Sequence, residues 1–302
     1  MAAKHEQFTY PNLGASEAAI KQHYDVGNVF YEHFLGSTMA YSAGHWREPS
    51  NSDTLDEAQI RKLDWHIDSS GSDTALRVLE IGCGWGSLIN RLAVRNPRAE
   101  VTALTMSEEQ AVHLRNSSNG RAKIEVMPWQ SYHSNRPFHS IVSIETIEHF
   151  ASFELTREER IRAYRDFFEF CARHLVRGGR MTLQMSVWNN VMPGEEKQFD
   201  FCKHFFPESC LPHVADLVAA SDGTFHVMRL ENIPRDMIIT LREWLRRLEQ
   251  NQAKLANEYG SELVRHYMEN FNILLIGFIN GSLSVVRMAL KRRGPTVSLA
   301  GR

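Results

Sequence analysis

Residues Leu76–Gly86, with the sequence LRVLEIGCGWG, are the most informative about the fold of this chain of 302 residues. It begins as a compact apolar run, Leu76–Ile81, and ends with glycines at alternate positions. Glycines placed in this way let a backbone turn tightly and approach a ligand without clashes from Cβ atoms. Because Leu88–Val94 follows with helical spacing, the pattern predicts a buried strand, a ligand-binding turn and the start of a helix.

Short apolar runs alternate with helical stretches throughout the region from about residue 73 to about residue 184. Further strands are predicted at Glu100–Leu104, Lys123–Met127, Phe138–Ile144 and Arg180–Met185, and further helices at Glu108–Arg115 and Arg157–Leu175. The last of these helices is expected to stop at Gly178 and Gly179. Strands alternating with helices of this length indicate βαβ units and a mainly parallel sheet, in which ligands bind at the carboxyl ends of the strands.

Composition and charge exclude several classes of protein. Apolar residues make up 43% and charged residues 23% of the chain, which is typical of a globular protein rather than a disordered, collagen-like or coiled-coil one. The 34 basic and 36 acidic residues give a net charge of −2. No overall basic field therefore indicates nucleic-acid binding, and no nucleic-acid partner is expected.

Cysteine usage and hydropathy predict a soluble cytoplasmic protein. The cysteines lie far apart without metal-ligand spacing and are expected to be reduced thiols, with no metal site: Cys83, Cys171, Cys202 and Cys210. The N-terminal sequence lacks the apolar core of a signal peptide. The longest strongly apolar stretch, Ile273–Ile279, is too short to span a bilayer, so no transmembrane segment is expected.

The spacing of the glycines distinguishes between two kinds of cofactor. Gly82, Gly84 and Gly86 form a GxGxG pattern, one residue shorter than the dinucleotide fingerprint GxGxxG. After the second strand, Thr105 stands where a nicotinamide-dependent enzyme carries Asp or Glu to bind the ribose. Both features argue against a nicotinamide cofactor. With Glu80 before the turn, the segment resembles motif I of class I S-adenosylmethionine methyltransferases.

Six further segments resemble one branch of these methyltransferases. They are His23–Tyr31 (HYDVGNVFY), Met39–Ser42 (MAYS), Leu104–Gln110 (LTMSEEQ), Pro128–Gln130 (PWQ), Ser143–Phe150 (SIETIEHF) and Phe205–Pro212 (FFPESCLP). In order and type they are similar to the motifs of the cyclopropane fatty acid synthases, which include the mycolic acid cyclopropane synthases. The resemblance covers about residues 20 to 245, and the last fifty residues match poorly.

The resemblance implies an α/β, Rossmann-like class I methyltransferase fold. This is a mainly parallel seven-stranded sheet with helices on both faces, extended by helical N- and C-terminal cap elements. We expect a cap and lid over residues 1–72, the cofactor-binding core over 73–190, and a C-terminal part over 191–302 that completes the sheet and adds a helical acceptor-binding insertion. Helical patterns in that last part lie at Pro212–Ala220, Thr240–Tyr259 and Ser261–Leu275.

S-Adenosylmethionine is the cofactor that the resemblance implies, with S-adenosylhomocysteine as the product. The implied cofactor-binding residues are Tyr41, Ser42, Glu80, Gly82, Gly84, Thr105, Gln110 and Trp129. Tyr41 and Ser42 are expected at the methionine end, and the two glycines along its backbone. Thr105 and Gln110 are expected at the ribose and adenine side, since a hydroxyl and an amide can replace a carboxylate there. Trp129 offers an aromatic face to the purine.

An acid/base cluster, Glu145, Glu148 and His149, follows the fourth predicted strand, where the methyl acceptor should lie. On a helical turn, Glu145 would share a face with both of the other side chains. A carboxylate there can stabilise an acceptor cation, and either type of group can accept a proton. The competing interpretation is a solvated turn at a helix N-terminus, where the dipole favours Glu.

Aromatic residues of the N-terminal cap complete the predicted catalytic site. Tyr24 is the candidate catalytic residue among them, and Phe30, Tyr31 and Phe34 are its companions. Such rings can line an apolar acceptor pocket or steady a developing cation by cation–π contact. Ordinary core packing is the alternative for each ring.

A bound bicarbonate, which the resemblance also implies, has an incomplete set of ligands in this sequence. In the family it is held by the second Glu of the SIExxEHF motif, a Cys, a His and a Tyr. Here Glu148 is present, but the Cys position is Ala43 and the His position is best aligned to Gln184. The Tyr position falls on Met237 or Asp236, depending on register. Three of four side chains are therefore absent, which argues against ring closure.

Two enzymatic hypotheses follow. The first is methyl transfer to carbon or nitrogen of a hydrophobic small molecule of specialised metabolism, as in the plant alkaloid N-methyltransferases of the coclaurine type, which also carry an ExxEH segment. The alternative is a cyclopropane or methyl-branched fatty acid synthase acting on unsaturated lipid chains, for which transient contact with a membrane surface is expected. A catalytically silent cofactor-binding scaffold is a third hypothesis, and the intact ExxEH segment argues against it.

Overall fold

The computed structural model describes residues 14–16, 26–48, 53–117, 120–196 and 208–294. The helices in this part of the chain are α1 (Asn28–Leu35), α2 (Leu55–Ser70), α3 (Ser87–Arg95), α4 (Glu108–Ser117), α5 (Arg157–His174), α6 (Val214–Ser221), α7 (Pro234–Tyr259) and α8 (Ser261–Ile279). The strands are β1 (Arg77–Ile81), β2 (Glu100–Thr105), β3 (Ala122–Val126), β4 (Phe138–Ile144), β5 (Leu175–Trp188), β6 (Phe225–Asn232) and β7 (Leu283–Arg292).

The strands form one seven-stranded sheet in the order β3-β2-β1-β4-β5-β7-β6. Strands β1 to β5 run parallel, and β7 is antiparallel to both of its neighbours, β5 and β6. The predicted fold class, a mainly parallel seven-stranded sheet of the class I methyltransferase type, is confirmed. Because the strand order reverses at β1, a crevice opens at the carboxyl ends of β1, β2 and β4.

Helices cover both faces of the sheet because the central strands carry apolar side chains on both sides. On one face, Val78 of β1 belongs to a buried cluster with Leu63 of α2 and Leu88 of α3. On the other face, the adjacent Leu79 belongs to a cluster with Phe167 of α5. Helices α2 and α5 both begin with a capping box, in which a Thr and a Glu satisfy each other's backbone N–H groups.

A third buried cluster lies above the carboxyl ends of the strands and joins α1, α7 and α8. Phe34 of α1 packs edge-on against Trp244 of α7 and Phe271 of α8, with ring centroids 6.1 and 5.6 Å apart. The N- and C-terminal elements thus cover the crevice together. The division of the chain at residues 72 and 190 stays a prediction.

The boundary between α5 and β5 differs from the prediction. Helix α5 ends at His174 and β5 begins at Leu175, so Gly178 and Gly179 lie inside the strand and do not stop the helix. Gly178 has a φ of 71°, and the register between β4 and β5 shifts between Phe138 and Ser140. The glycines therefore form a bulge at the start of a long strand, a role that depends on pairing with β4.

Two features are absent from the described residues. None of their helices is long and apolar enough to cross a membrane. They also contain no group of three or more His, Cys, Asp or Glu side chains arranged to hold a metal ion.

Candidate active site

A cavity above the carboxyl ends of β1, β2 and β4, here called the cofactor cavity, brings together all the predicted cofactor-binding residues. Its lining includes Tyr41, Ser42, Glu80, Gly82, Gly84, Thr105, Gln110 and Trp129. These residues come from the segment after α1, from β1 and the turn that follows it, from the end of β2, from the first turn of α4 and from the turn after β3, and the fold places them around one space. Two further lining residues, Lys62 of α2 and Gln130, were not predicted as site residues.

Two glycines of the turn after β1, Gly82 and Gly84, are needed for different structural reasons. Gly82 has a φ of 79°, and a Cβ atom added there would collide with the side chain of Thr146. Gly84 has a φ of 50°, and a Cβ atom added there would meet no protein atom within 4 Å. The space beside Gly84 is thus part of the cavity, as expected for a turn that lets a ligand approach its backbone.

Opposite charges lie at the end of the cavity next to β1. Glu80 is buried, and its Oε2 atom has no hydrogen-bond partner among the described residues. Burial raises the pKa of Glu80 to about 8. The Lys62 ammonium is buried as well and donates a hydrogen bond of 2.7 Å to Ser42 Oγ. This end of the cavity suits a ligand that carries both an ammonium and a carboxylate, such as the methionine part of S-adenosylmethionine.

The opposite end of the cavity has the polar and aromatic groups that a nucleoside needs. Thr105 Oγ1 donates to Gln110 Oε1 over 2.7 Å, which leaves the Gln110 amide N–H groups for a ligand. Trp129 lines the cavity and packs against three phenylalanine rings at centroid distances of 5.2, 5.4 and 5.5 Å. Gln130 Oε1 is a buried acceptor without a partner in the described part of the chain. The sequence signal for Gln130 is its position directly after Trp129 in the PWQ segment.

A second cavity, here called the acceptor cavity, adjoins the first and is mostly apolar. Its apolar lining comes from α7, α8 and β7 and includes Met237, Leu241, Trp244, Phe271, Leu274 and Phe278. Its polar end is formed by Glu145, Glu148 and His149. Tyr41, Glu145 and His149 line both cavities. A methyl donor in one cavity and an acceptor in the other would therefore meet at these three residues.

The two glutamates of the acid/base cluster are not neighbours on a helical turn, which corrects the predicted geometry. Only Ile147–His149 forms a short 3-10 turn, while Glu145 precedes it with a φ of 48°. Glu145 Oε1 accepts hydrogen bonds of 2.9 Å from both Ala43 N and Gln184 Nε2. Glu145 thus ties the segment after α1 to the end of β4.

Glu148 has a different environment. Its Oε1 atom accepts a 2.6 Å hydrogen bond from Ser186 N of β5, and its Oε2 atom is buried without a hydrogen-bond partner among the described residues. Burial, reinforced by the negative charge of Glu145, holds the pKa of Glu148 well above its ordinary value. A carboxylate oxygen that is held in place but unpartnered at a cavity wall is suited to accept a proton or face a cation.

His149 is neutral near pH 7, since burial lowers its pKa to about 4. Its Nδ1 atom shares a 2.8 Å hydrogen bond with Ser209 Oγ, and its backbone carbonyl accepts from Ala15 N over 2.9 Å. It lines both cavities and can accept a proton, but it does not carry a charge that stabilises Glu148.

The positions implied for a bicarbonate do not fit that anion. Ala43 and Met237 have no side-chain donor, and Met237 rather than Asp236 lines the acceptor cavity. Asp236 instead accepts from Trp46 N and from Arg287. The amide nitrogen of Gln184 already donates to Ala43 O and Glu145 Oε1. The side chains at these positions therefore do not form a bicarbonate site.

The predicted aromatic residues of the N-terminal cap have a packing role where they are described. Phe30, Tyr31 and Phe34 are buried in the cluster of α1, α7 and α8 and do not line either cavity. Tyr31 packs against Tyr41, with ring centroids 5.7 Å apart, and so supports a residue that does line them. Tyr24 lies outside the described residues, as do Cys202 and the start of the FFPESCLP segment.

This fold, with one cavity at the carboxyl ends of the parallel strands and a mostly apolar cavity adjoining it, is that of a class I S-adenosylmethionine-dependent methyltransferase. The family model for mycolic acid cyclopropane synthetase matches residues 13–288, and the chain belongs to this family. Its cofactor is S-adenosylmethionine, and it is an enzyme of the cyclopropane mycolic acid synthase type.

Known proteins resemble the chain in sequence and in fold. It is 29% identical to hydroxymycolate synthase MmaA4 of Mycobacterium tuberculosis over 267 residues, 83% of this chain and 84% of that protein. It is 29% identical to cyclopropane mycolic acid synthase 1 of the same species over 269 residues, 83% and 89% of the two chains. The structure of cyclopropane synthase MmaA2 from M. tuberculosis shares the fold with a TM-score of 0.81 at 24% identity, covering 93% of this chain and 100% of that one. Coclaurine N-methyltransferase shares it with a TM-score of 0.76 at 20% identity, covering 94% and 84%.

Proposed function

We propose that the protein transfers the methyl group of S-adenosylmethionine to an alkene carbon of a long apolar acceptor, and that Glu148 receives the proton released afterwards. The observation that carries this proposal is the acceptor cavity, an apolar space whose polar end presents the unpartnered Oε2 atom of Glu148. This is the alternative of the two hypotheses from the sequence. The relatives support it better than transfer to a small molecule of specialised metabolism, since their names refer to mycolic acids, which are lipids.

The lining of the acceptor cavity favours a hydrocarbon. Trp244 Nε1 and Asn270 Nδ2 line the cavity as buried donors without a hydrogen-bond partner among the described residues. The aliphatic and phenyl side chains beside them, Met237, Leu241, Leu274 and Phe278, offer only dispersion contacts. A polar acceptor group placed among them would lose its hydrogen bonds to water without replacement, which is costly. An acyl or similar chain meets no such penalty.

Methyl transfer to an alkene requires that a carbocation be stabilised and that a base then accept a proton. S-Adenosylmethionine supplies an electrophilic methyl group on a sulfonium. The alkene gives its electron pair to that methyl carbon as the sulfur–carbon bond breaks, and a positive charge remains on the neighbouring acceptor carbon. The rings of Tyr41, Trp244 and Phe271 line the cavity as one cluster, with centroids 5.2 to 6.2 Å apart, and steady this charge by cation–π contact.

Loss of a proton then ends the reaction. A C–H bond breaks and its proton goes to Glu148 Oε2, while its electron pair forms a new bond to the cationic carbon. That bond is a σ bond if the pair comes from the methyl carbon, and a π bond if it comes from the adjacent chain carbon. The raised pKa of Glu148 makes its carboxylate a strong base once it is ionised, and the positive charge in the site favours the ionised form. If the proton leaves the new methyl group, the product is a cyclopropane; if it leaves the chain, the product is a methyl-branched alkene.

Methylation of a hydrophobic amine is a second candidate, favoured by the two carboxylates at the polar end of the acceptor cavity. Glu145 and Glu148 both line the acceptor cavity and can face an ammonium product. In this reaction the amine proton would go to Glu148 or His149.

The test uses S-adenosylmethionine with a trideuterated methyl group. The purified protein is offered vesicles of unsaturated phospholipid, matched vesicles of saturated phospholipid, free unsaturated fatty acids, isoprenoid alkenes and hydrophobic amines. Mass spectrometry identifies the labelled product. The proposal expects label only in acceptors with an alkene. Retention of all the deuterium indicates a methyl branch, and loss of one deuterium indicates a cyclopropane or a methylene group. Label found only in amines would contradict it in favour of the second candidate.

A further inference from the structure

A lysine is buried in the wall of the cofactor cavity. Lys62, in the middle of α2, is only 1% exposed and lines the cavity together with Ser42 and Glu80. Lysine is almost never fully buried unless it has a charged partner, because its ammonium loses favourable hydration. The burial of Lys62 therefore calls for a partner.

The described protein does not supply that partner. Lys62 Nζ carries three N–H donors, and only one of them finds an acceptor in the described part of the chain, Ser42 Oγ at 2.7 Å. Glu80 and Glu145 act on Lys62 through their charges, but neither forms an ion pair with it in the described residues. Two donors of a buried cation thus remain for a ligand in the cavity.

We propose that Lys62 binds the α-carboxylate of S-adenosylmethionine, while Glu80 binds the α-ammonium of the same cofactor. The two side chains line the same end of the cavity and have opposite charges when both are ionised, the state that a neighbouring zwitterion would favour. Glu80 Oε2 has no hydrogen-bond donor among the described residues, just as two N–H groups of Lys62 have no acceptor there. The bound cofactor would place an opposite charge in contact with Lys62 and with Glu80. The described protein does not do this by itself.

The electrostatics of the pair agree with this assignment. Burial lowers the pKa of Lys62 to about 8 and raises that of Glu80 to about 8. The charged form of each group is therefore destabilised by loss of hydration in the cofactor-free protein. Three other groups interact electrostatically with Lys62. The charges of Glu145 and Arg287 affect the pKa of Lys62, and burial together with the charge of Lys62 lowers the pKa of His66 on the same helix. An α-carboxylate next to Lys62 would favour its charged form.

The position of Ser42 depends on α2 in two ways. Lys62 donates to its hydroxyl oxygen, and Gln59, one turn earlier on the helix, donates from Nε2 to its backbone carbonyl over 2.8 Å. Because the Ser42 oxygen accepts from Lys62, the Ser42 O–H remains able to donate to the same carboxylate. Lys62 thus both binds the cofactor and orients a second donor to it.

The test compares two ligands and three proteins by isothermal titration calorimetry. The ligands are S-adenosylhomocysteine and its decarboxylated analogue, which keeps the amino group and lacks the α-carboxylate. The proteins are the wild type, Lys62→Met, which keeps side-chain length and removes the charge, and Lys123→Met. Lys123 is an exposed lysine of β3 and serves as the matched control. We expect the wild type and Lys123→Met to prefer S-adenosylhomocysteine by about tenfold or more, and Lys62→Met to lose most of that preference.

Two results would overturn the proposal. Equal affinity of the wild type for both ligands would show that no charged partner holds the carboxylate, and this result does not require any variant to fold. A Lys62→Met protein that binds both ligands more weakly by the same factor would show that Lys62 only supports the cavity. Neither measurement involves a methyl acceptor, so either failure leaves the proposed reaction on alkenes untouched.

Discussion

Replacing Glu148 with glutamine separates the chemistry of the site from its structure. Glu148 Oε1 accepts a 2.6 Å hydrogen bond from Ser186 N, and the carbonyl oxygen of glutamine can accept the same bond. The amide NH₂ group then takes the place of Oε2, the atom without a partner among the described residues. Glu148→Gln therefore keeps the shape of the site and its bond to β5 but removes the proton acceptor.

The expected loss of activity follows from the role of Glu148 as a base. A positioned acid or base contributes about 100- to 10,000-fold to the rate, so kcat should fall by that factor, which corresponds to about 3–5 kcal/mol in the barrier. The affinity for S-adenosylhomocysteine should stay the same, because Glu148 lines the acceptor cavity and not the cofactor cavity.

The stability of this variant should depend on pH with a definite sign. Because burial raises the pKa of Glu148 above its ordinary value of 4.5, the folded state favours the protonated form. That contribution to stability is fully present below the unfolded pKa and is lost as pH rises through the folded pKa. Because glutamine does not ionise, the variant keeps this contribution to stability at every pH. The variant should match the wild type at about pH 4 and exceed its free energy of unfolding at about pH 8.

The same pKa sets the acid side of the rate profile. In the wild type, kcat should rise with pH as Glu148 ionises, at a pH above that of an ordinary carboxylate, and Glu148→Gln should lack this rise. The assay is single-turnover product formation by mass spectrometry, with calorimetry for cofactor binding and urea unfolding for stability. Glu154→Gln, at an exposed glutamate, is the matched control. A variant with full activity, or one that loses activity and cofactor binding in equal measure, would refute the role of Glu148 as the base.

Three other substitutions test separate parts of the structure. Gly84→Val should abolish binding of S-adenosylhomocysteine in calorimetry while the protein still folds, because its side chain would enter cavity space in which a Cβ meets no protein atom within 4 Å; normal affinity would contradict the position of the cofactor. Leu274→Trp should narrow the acceptor cavity and raise KM for the acceptor by about tenfold or more, with unchanged cofactor affinity as its internal control. Arg287→Met should lower the free energy of unfolding in urea by about 3–5 kcal/mol, since it leaves Asp236, now 3.2 Å from the Arg287 guanidinium, as a buried charge without its cation. The exposed Arg246→Met should change stability by less than about 1 kcal/mol, and an equal loss in both variants would contradict this account.

Those features that depend on local chemistry could be predicted from the sequence. The strand before the glycines and the turn itself are determined by adjacent residues, so β1 and the lining of the cofactor cavity followed from Leu76–Gly86 and its companion motifs. Features that depend on distant partners could not be predicted in this way. Gly178 looks like a helix stop until its strand pairs with β4. Glu145 looks like part of a helical turn until Ala43 N and Gln184 hold it at a positive φ.

The buried polar face of α2 shows why part of the site was not visible in the sequence. Gln59, Lys62 and His66 follow one another at helical spacing, and a polar stripe of that kind ordinarily indicates a solvated face. All three are buried, and each contacts a group that lies far away in sequence or borders the cavity: Gln59 and Lys62 hold Ser42, and His66 Nδ1 lies 3.0 Å from Thr182 Oγ1 of β5. A helix can bury such a face only where strand ends and a ligand supply the missing partners, because an unpaired buried charge is too costly. The polar stripe of α2 is thus itself a sign of a charged ligand next to it, and the methionine end of the cofactor provides the charge that Lys62 lacks.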